Sequence, residues 1–423
     1  MIRTFFKDSF LYTLANLFTK GIGFVMLPVY LNFLDKVEYG TYDYVFTIGS
    51  FIAVIVSLEI TQSVLRFSSE AKSHQEKSLY ITNGVFFNFV SYTILLIVGL
   101  LFIEDLSLFL TGQSDQKSIA FLALVSYFVT STLYMSSIVF RSNLDSKSAT
   151  ISSAFSAAIV AILGFVGLNV FEQSLIVILL STIIGQLIVV VYNYSKISSY
   201  WLNKPNYNVL KKMLLFSSPL VLSSLGVVLS TLVDRMVIKE LLGFSELAEY
   251  GVAARFASIV TLITLGFQSA LAPLIYSQLD NPNVKSSIKK LFSIYCCASL
   301  LIFAFLFFVS DKLLLVIAGD NYHNSSYIFV LLSCAMLIQS AYVFFPGLSI
   351  SGKTKMLAII NVAVGIANLL GNYMLVPAFG IEGAAYSTLF CSVLFFLINL
   401  FFSEREFSVL FEYCNKSRRI TRS

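Results

Sequence analysis

Residues 35–45 read DKVEYGTYDYV, and residues 246–256 read ELAEYGVAARF. Glu-Tyr-Gly thus occurs at 38–40 and again at 249–251, an offset of 211 residues. Each copy sits between two long apolar runs. Glycine ending one segment, with a tyrosine at a polar–apolar boundary, is ordinary turn chemistry. Its recurrence at the same place in the pattern suggests that one architectural unit is used twice.

The surrounding composition defines that unit. The 423 residues are 57% hydrophobic and only 12% charged, about half the charge of a soluble domain. So little charge cannot cover a soluble surface, which leaves a membrane protein. Apolar runs of spanning length occur at about 9–33, 44–65, 79–103, 119–140, 150–171, 174–194, 213–234, 250–275, 291–310, 325–348, 356–376 and 383–402. They carry no strand alternation, so the expectation is an all-α integral membrane protein of about twelve transmembrane helices. The first run follows MIRTFFKDSF without a small-residue cleavage site, and reads as a spanning helix rather than a removable signal.

Lysine and arginine set the orientation. Twenty-one fall on the side of both termini and five on the other, so both termini are expected in the cytoplasm. The longest internal loop, 195–212, follows the sixth run. It divides the chain into a six-helix lobe (1–194), a linker (195–212), a second six-helix lobe (213–402) and a basic tail (403–423). Six is an even number, so both lobes enter from the same side. They form parallel repeats, and both Glu-Tyr-Gly copies fall at the outer entry to the second helix of their lobe.

Two cations, Lys20 and Arg255, lie inside predicted spans. Lys20 stands about 16 Å along the first helix, beyond the reach of snorkelling. A charge there costs at least about 2.5 kcal/mol. Asn16 shares its face, and Gly21, Gly23 and Pro28 permit bending nearby. One reading is a cavity cation for an anionic substrate; the other is a structural pair with Glu59. Glu59, Gln62 and Arg66 are spaced to share a face of the second helix and are coupling or gating candidates. Arg255 either lines the cavity or pairs with Asp234. At the repeat offset Lys20 matches Thr231 and Arg255 matches Tyr44, so the fold itself does not demand these charges. Asn361, Gly365, Asn368 and Asn372 form a polar stripe that either joins helices or faces a sugar.

No P-loop, metal-ligand cluster or nucleophile–base arrangement is present. The five cysteines suggest no disulfide framework. The outer loops are too short for a catalytic domain, which argues against an enzyme, including a membrane glycosyltransferase or polymerase.

Asn16, Lys20 and Pro28, followed by Glu38-Tyr39-Gly40, resemble the opening of bacterial polysaccharide repeat-unit flippases. Asp234-Arg235 through Glu249-Tyr250-Gly251 resembles the start of their second half. Gly352-Lys353, Asn361, Asn368 and Gly380-Ile381-Glu382-Gly383-Ala384-Ala385 resemble their late helices. The family belongs to the multidrug/oligosaccharidyl-lipid/polysaccharide exporter superfamily. The resemblance implies two MATE-like lobes around a cavity with alternating access, in a bacterial inner membrane. The implied substrate is an undecaprenyl-pyrophosphate-linked oligosaccharide for O-antigen or capsule. Membrane lipid and polysaccharide-assembly proteins are the other expected partners, and nucleic acid is not. Lys20, Arg255, Asn16, Asn361, Asn368 and Asn372 would contact substrate, with no cofactor. Coupling to H+ or Na+ would fall to Glu59 or Asp234. A drug antiporter of the same superfamily is the alternative. Lys20, where such proteins commonly carry an acid, argues against it.

Overall fold

The computed structural model describes the backbone of residues 2–201, 204–262, 284–322 and 324–410, with positions 264, 267 and 271, and side chains from residue 17 onward apart from 354. Among the described residues the chain is helical, without strands. The first lobe comprises α1 (Ile2–Phe33), α2 (Lys36–Ser57), α3 (Ile60–Glu70), α4 (His74–Leu101), α5 (Ile103–Thr111), α6 (Lys117–Ser142), α7 (Ser146–Val170) and α8 (Ser174–Lys196). The second comprises α9 (Tyr207–Leu241), α10 (Phe244–Ala257), α11 (Val284–Ala318), α12 (Ser325–Ser340), α13 (Gly347–Ile350), α14 (Thr354–Phe379) and α15 (Ile381–Glu406).

Ten of these helices are long and apolar enough to cross a membrane, and α1 adds an apolar stretch over Leu17–Phe33. The run expected at 250–275 is helical to Ala257, and much of its remainder lies outside the described residues. The linker is shorter than expected: 207–212 already belong to α9. It is tied to the first lobe, where the Tyr200 carbonyl accepts from Ser78 (2.5 Å) and Thr82 (2.9 Å).

The second span departs most from its sequence reading. The helix begins at Lys36, earlier than expected, and is then broken. Asp35 caps it: the Glu38 N–H donates to Asp35 Oδ1 (2.8 Å), and the Asp35 N–H donates to Glu38 Oε2 (3.2 Å), a reciprocal capping box. At Leu58 and Glu59 the backbone turns left-handed, with φ of 46° and 54°. Glu59 therefore sits at the break as the N-cap residue of α3, instead of sharing a continuous helix face with Gln62 and Arg66. Irregular backbone inside a span is tolerated where protein or a cavity surrounds it.

In lipid no hydrophobic drive pulls helices together, so close packing of small residues matters more. The repeated tripeptide supplies it. α2 packs on α10 across the two lobes, and a methyl on Gly40 would overlap the Phe244 carbonyl. A methyl on Gly251 would stand 2.9 Å from the Asp43 carboxyl carbon. Each glycine permits the approach of the opposite lobe. Two ion pairs cross the same seam: Lys36–Glu249 at 2.5 Å and Arg235–Asp43 at 2.6 Å. The lobes are thereby closed on each other at the end carrying the α1–α2 and α9–α10 turns.

Candidate functional site

Below that seam lies an inter-lobe cavity of about 670 Å³. Lys20, Arg235, Arg255 and Asp43 all line it. α1 places Lys20 there beside Gly21 and Gly23, whose lack of side chains leaves room around the amine. Lys20 Nζ donates to Thr261 Oγ1 at 3.1 Å. The pair expected with Glu59 is not formed: Lys20 turns towards the second lobe, and Glu59 is at the helix break. Thr231, the repeat counterpart of Lys20, lines the same cavity.

The Arg255 guanidinium stands 5.8 Å from the Tyr42 ring centroid. Its alternative partner, Asp234, is engaged elsewhere. Arg235 is held by Asp43 and by a 3.1 Å bond to the Thr231 carbonyl. Three cations thus face the cavity against one carboxylate. An excess of cations lining one cavity is stabilised by an anion.

The asparagine stripe takes its structural role. Consecutive residues on a helix diverge by about 100°, so Arg235 reaches the cavity while Asp234 points into the second lobe. Asp234 Oδ1 accepts from Asn368 (2.7 Å) and Asn372 (2.8 Å), and Oδ2 from Tyr250 (2.5 Å) and Thr388 (2.8 Å). Asn368 and Asn372 are therefore buried and do not line the inter-lobe cavity. Asn361 packs where α14 meets Gly226 of α9. Asn368 and Asn372 thus join α14 to α9 through Asp234, and do not take the sugar-facing orientation in the inter-lobe cavity. The side chain of Asn16 lies outside the described residues. Gln62 is exposed on α3. Arg66 makes an exposed pair with Glu70 at 3.1 Å and stacks 4.5 Å from the Phe216 ring centroid, a type of pair that contributes little.

Asp43 and Arg235 escaped the sequence reading as a cavity pair. Asp43 falls just outside the apolar run at 44–65, and its partner is 192 residues away. The one available signal was positional, since Asp43 lies three residues beyond the first Glu-Tyr-Gly and so inside the helix that tripeptide opens.

A family model described as polysaccharide biosynthesis protein matches residues 5–277, and one described as MatE matches 219–374. A relative from Haloferax volcanii, described as "Probable low-salt glycan biosynthesis flippase", is 27% identical over 55% of this chain and 50% of its own. One from Shigella flexneri, described as "Putative O-antigen transporter", is 24% identical over 43% of this chain and 44% of its own. The chain thus spans about half the length of each of these two relatives. Among solved structures, an inward-facing multidrug resistance MATE family transporter superposes with a TM-score of 0.72, at 15% identity, over 93% of this chain and 94% of that one. That likeness concerns the fold. With apolar helices of spanning length and this family match, the molecule is a multi-pass membrane protein. The chain belongs to the polysaccharide biosynthesis protein family, built on the fold of the MATE transporters.

Proposed function

We propose that this protein moves a lipid-linked oligosaccharide bearing a pyrophosphate, of the undecaprenyl type, from the cytoplasmic to the outer leaflet by alternating access. One observation carries this reading: Lys20 and Arg255, the two cations that the sequence places inside the bilayer, line one cavity between the lobes. A pyrophosphate is costly to bring through lipid, and fixed cations in a shielded cavity offset that cost. The positive lining also argues against a cationic drug as cargo. With the Lys/Arg-rich loops taken as cytoplasmic, the Gly40–Gly251 seam is the outer gate, closed here. Opening it requires the Lys36–Glu249 and Asp43–Arg235 pairs to part.

Coupling to H+ or Na+ is assigned to Asp234 instead of Glu59, because Asp234 is a buried carboxylate whose four bonds come from neutral donors. Asp234→Asn should keep the protein folded and remove the dependence of transport on the ion gradient. Transport that stays gradient-dependent in this variant would exclude it.

Two experiments test the main reading. Lys20→Gln should strongly reduce surface polysaccharide at an unchanged amount of folded protein, and Lys20→Arg should retain part, since a guanidinium still binds phosphate oxygens. Normal polysaccharide with Lys20→Gln would reject the pyrophosphate role. For the topology, a phosphatase reporter active only outside should be silent after Ser73 and active after Phe244. The reverse would overturn the assignment of the outer gate.

A further inference from the structure

The first lobe contains a second cavity, of about 380 Å³, between α1, α6, α7 and α8. Its volume is within the range of small-molecule sites, about 300–1,000 Å³. No carboxylate is among its lining residues, and Arg255 stands at its boundary with the inter-lobe cavity, lining both. Its polar groups are hydroxyls, one amide and the guanidinium groups of Arg141 and Arg255, and several of the neutral ones are uncommitted. Ser137 is 6% exposed, and its hydroxyl has no hydrogen-bond partner. Ser156 is also buried and makes no hydrogen bond among the described residues. Gln186 accepts from Thr130 at 2.7 Å through its oxygen, which leaves the amide N–H groups for a ligand. Tyr134 offers an exposed ring beside them. Buried polar groups are normally paired, so an unpaired serine lining a cavity marks a place where a polar molecule completes the bonding.

The chemistry selects the class of ligand. Hydroxyl, amide and guanidinium donors, with an aromatic face and no carboxylate, suit a polyhydroxylic molecule rich in oxygen acceptors. We infer that this pocket is the saccharide subsite: it takes the sugar nearest the pyrophosphate, while Lys20 and Arg255 hold the phosphates next door. The inference rests on the proposed function, since it divides one substrate between two adjoining cavities. It assigns Ser137, Ser156 and Gln186 as specificity-determining residues of the first lobe.

Binding separates the two claims. The probes are undecaprenyl pyrophosphate and the lipid-linked oligosaccharide extracted from source cells lacking this protein. Each would be titrated into purified protein in detergent. Wild type should bind the oligosaccharide-bearing lipid at least tenfold more tightly. The Ser137→Ala, Ser156→Ala, Gln186→Leu triple variant should lose that preference and bind bare undecaprenyl pyrophosphate as wild type does. Gln186→Leu alone, a half-buried change, should reduce the preference several-fold and serves if the triple variant does not fold. Lys20→Gln should weaken both probes alike and keep the preference. A triple variant, or a folded Gln186→Leu, that retains the full preference overturns the subsite and leaves the pyrophosphate reading standing. Unchanged binding of both probes by Lys20→Gln overturns the pyrophosphate reading, and with it the division of one substrate between the two cavities.

Discussion

The two lobes repeat one helical plan but treat their polar interiors in opposite ways. In the second, the space between α9, α14 and α15 is closed by Asp234 and its four donors. In the first, the comparable space among α1, α6, α7 and α8 is a cavity whose lining includes the unpaired Ser137 hydroxyl. A polar stripe on a helix therefore does not by itself indicate a ligand. The distinction lies in whether a charged acceptor gathers the donors, as Asp234 does, or leaves them around a cavity. The asparagines of α14 are the more conspicuous pattern in the sequence, and they are structural. The scattered serines and glutamine of the first lobe are inconspicuous, and they are left available.

The largest expected effect tests the closed side of this contrast. Asp234→Ala would strand the Tyr250 and Thr388 hydroxyls and take one acceptor from Asn368 and from Asn372, which keep the Ser230 and Asn368 carbonyls, and a buried donor left unpaired costs about 1–3 kcal/mol. With four affected, and some relaxation, a loss of at least about 3 kcal/mol is expected. In detergent this should appear as a large fall in the unfolding midpoint or in folded yield. A variant with wild-type stability would mean that the network does not hold the lobe together, and the contrast would fail.

The seam between the lobes gives a smaller effect with an internal control. The repeated tripeptide is equivalent only in its glycines. Glu38 caps its own helix, whereas Glu249 pairs across the seam with Lys36. Tyr39 has no partner for its hydroxyl, whereas Tyr250 donates to Asp234. Gly40 faces backbone and Gly251 faces a side chain. Backbone cannot swing aside, so Gly40→Ala should disfavour the closed seam by about 1–3 kcal/mol, the cost of overpacking, and Gly251→Ala by less. Labelling of a cysteine placed at Lys36 by an impermeant reagent should increase more in Gly40→Ala than in Gly251→Ala. Equal labelling in both would show that the two close approaches are equally yielding.

Much of the architecture was legible because it rests on period and composition. Spans of about 20 apolar residues report a bulk property of the bilayer, its thickness. Lys20 and Arg255 were legible for the same reason, since a cation in an apolar run is anomalous wherever it points. Direction was not legible. Whether Asn368 faces a cavity or Asp234 depends on a helix 134 residues away. The break at Leu58-Glu59 was also hidden. Residues 54–62, VIVSLEITQ, hold neither proline nor glycine, and tertiary packing overrides their helical reading.

That break yields a modest effect. Two non-glycine residues in left-handed conformation each carry a penalty of about 1–2 kcal/mol. Glu59→Gly removes the side-chain part at one of them, offset in part by glycine's greater freedom when unfolded. A net gain of up to about 1 kcal/mol is expected, with transport retained, because the carboxylate pairs with neither Lys20 nor any other cation among the described residues. Loss of transport in a stable Glu59→Gly protein would restore the coupling role to this residue.

The smallest effect tests the open side of the contrast, and its value lies in being small. Ser137→Ala removes a hydroxyl that is buried and bonded to nothing in the protein. Truncating a serine that anchors a helix would cost a hydrogen bond and leave its partner stranded, about 1–3 kcal/mol. Here there is no partner to strand, and the unpaired hydroxyl is itself a liability in the unliganded state. The unfolding midpoint of the ligand-free protein should therefore stay within about 0.5 kcal/mol of wild type, or rise slightly. Stabilisation by added lipid-linked oligosaccharide should decrease in the same variant, because a ligand that binds only the folded state raises stability in proportion to the logarithm of its affinity. A drop of more than about 1 kcal/mol without ligand would place Ser137 among bonded structural groups, and the first lobe would then resemble the second.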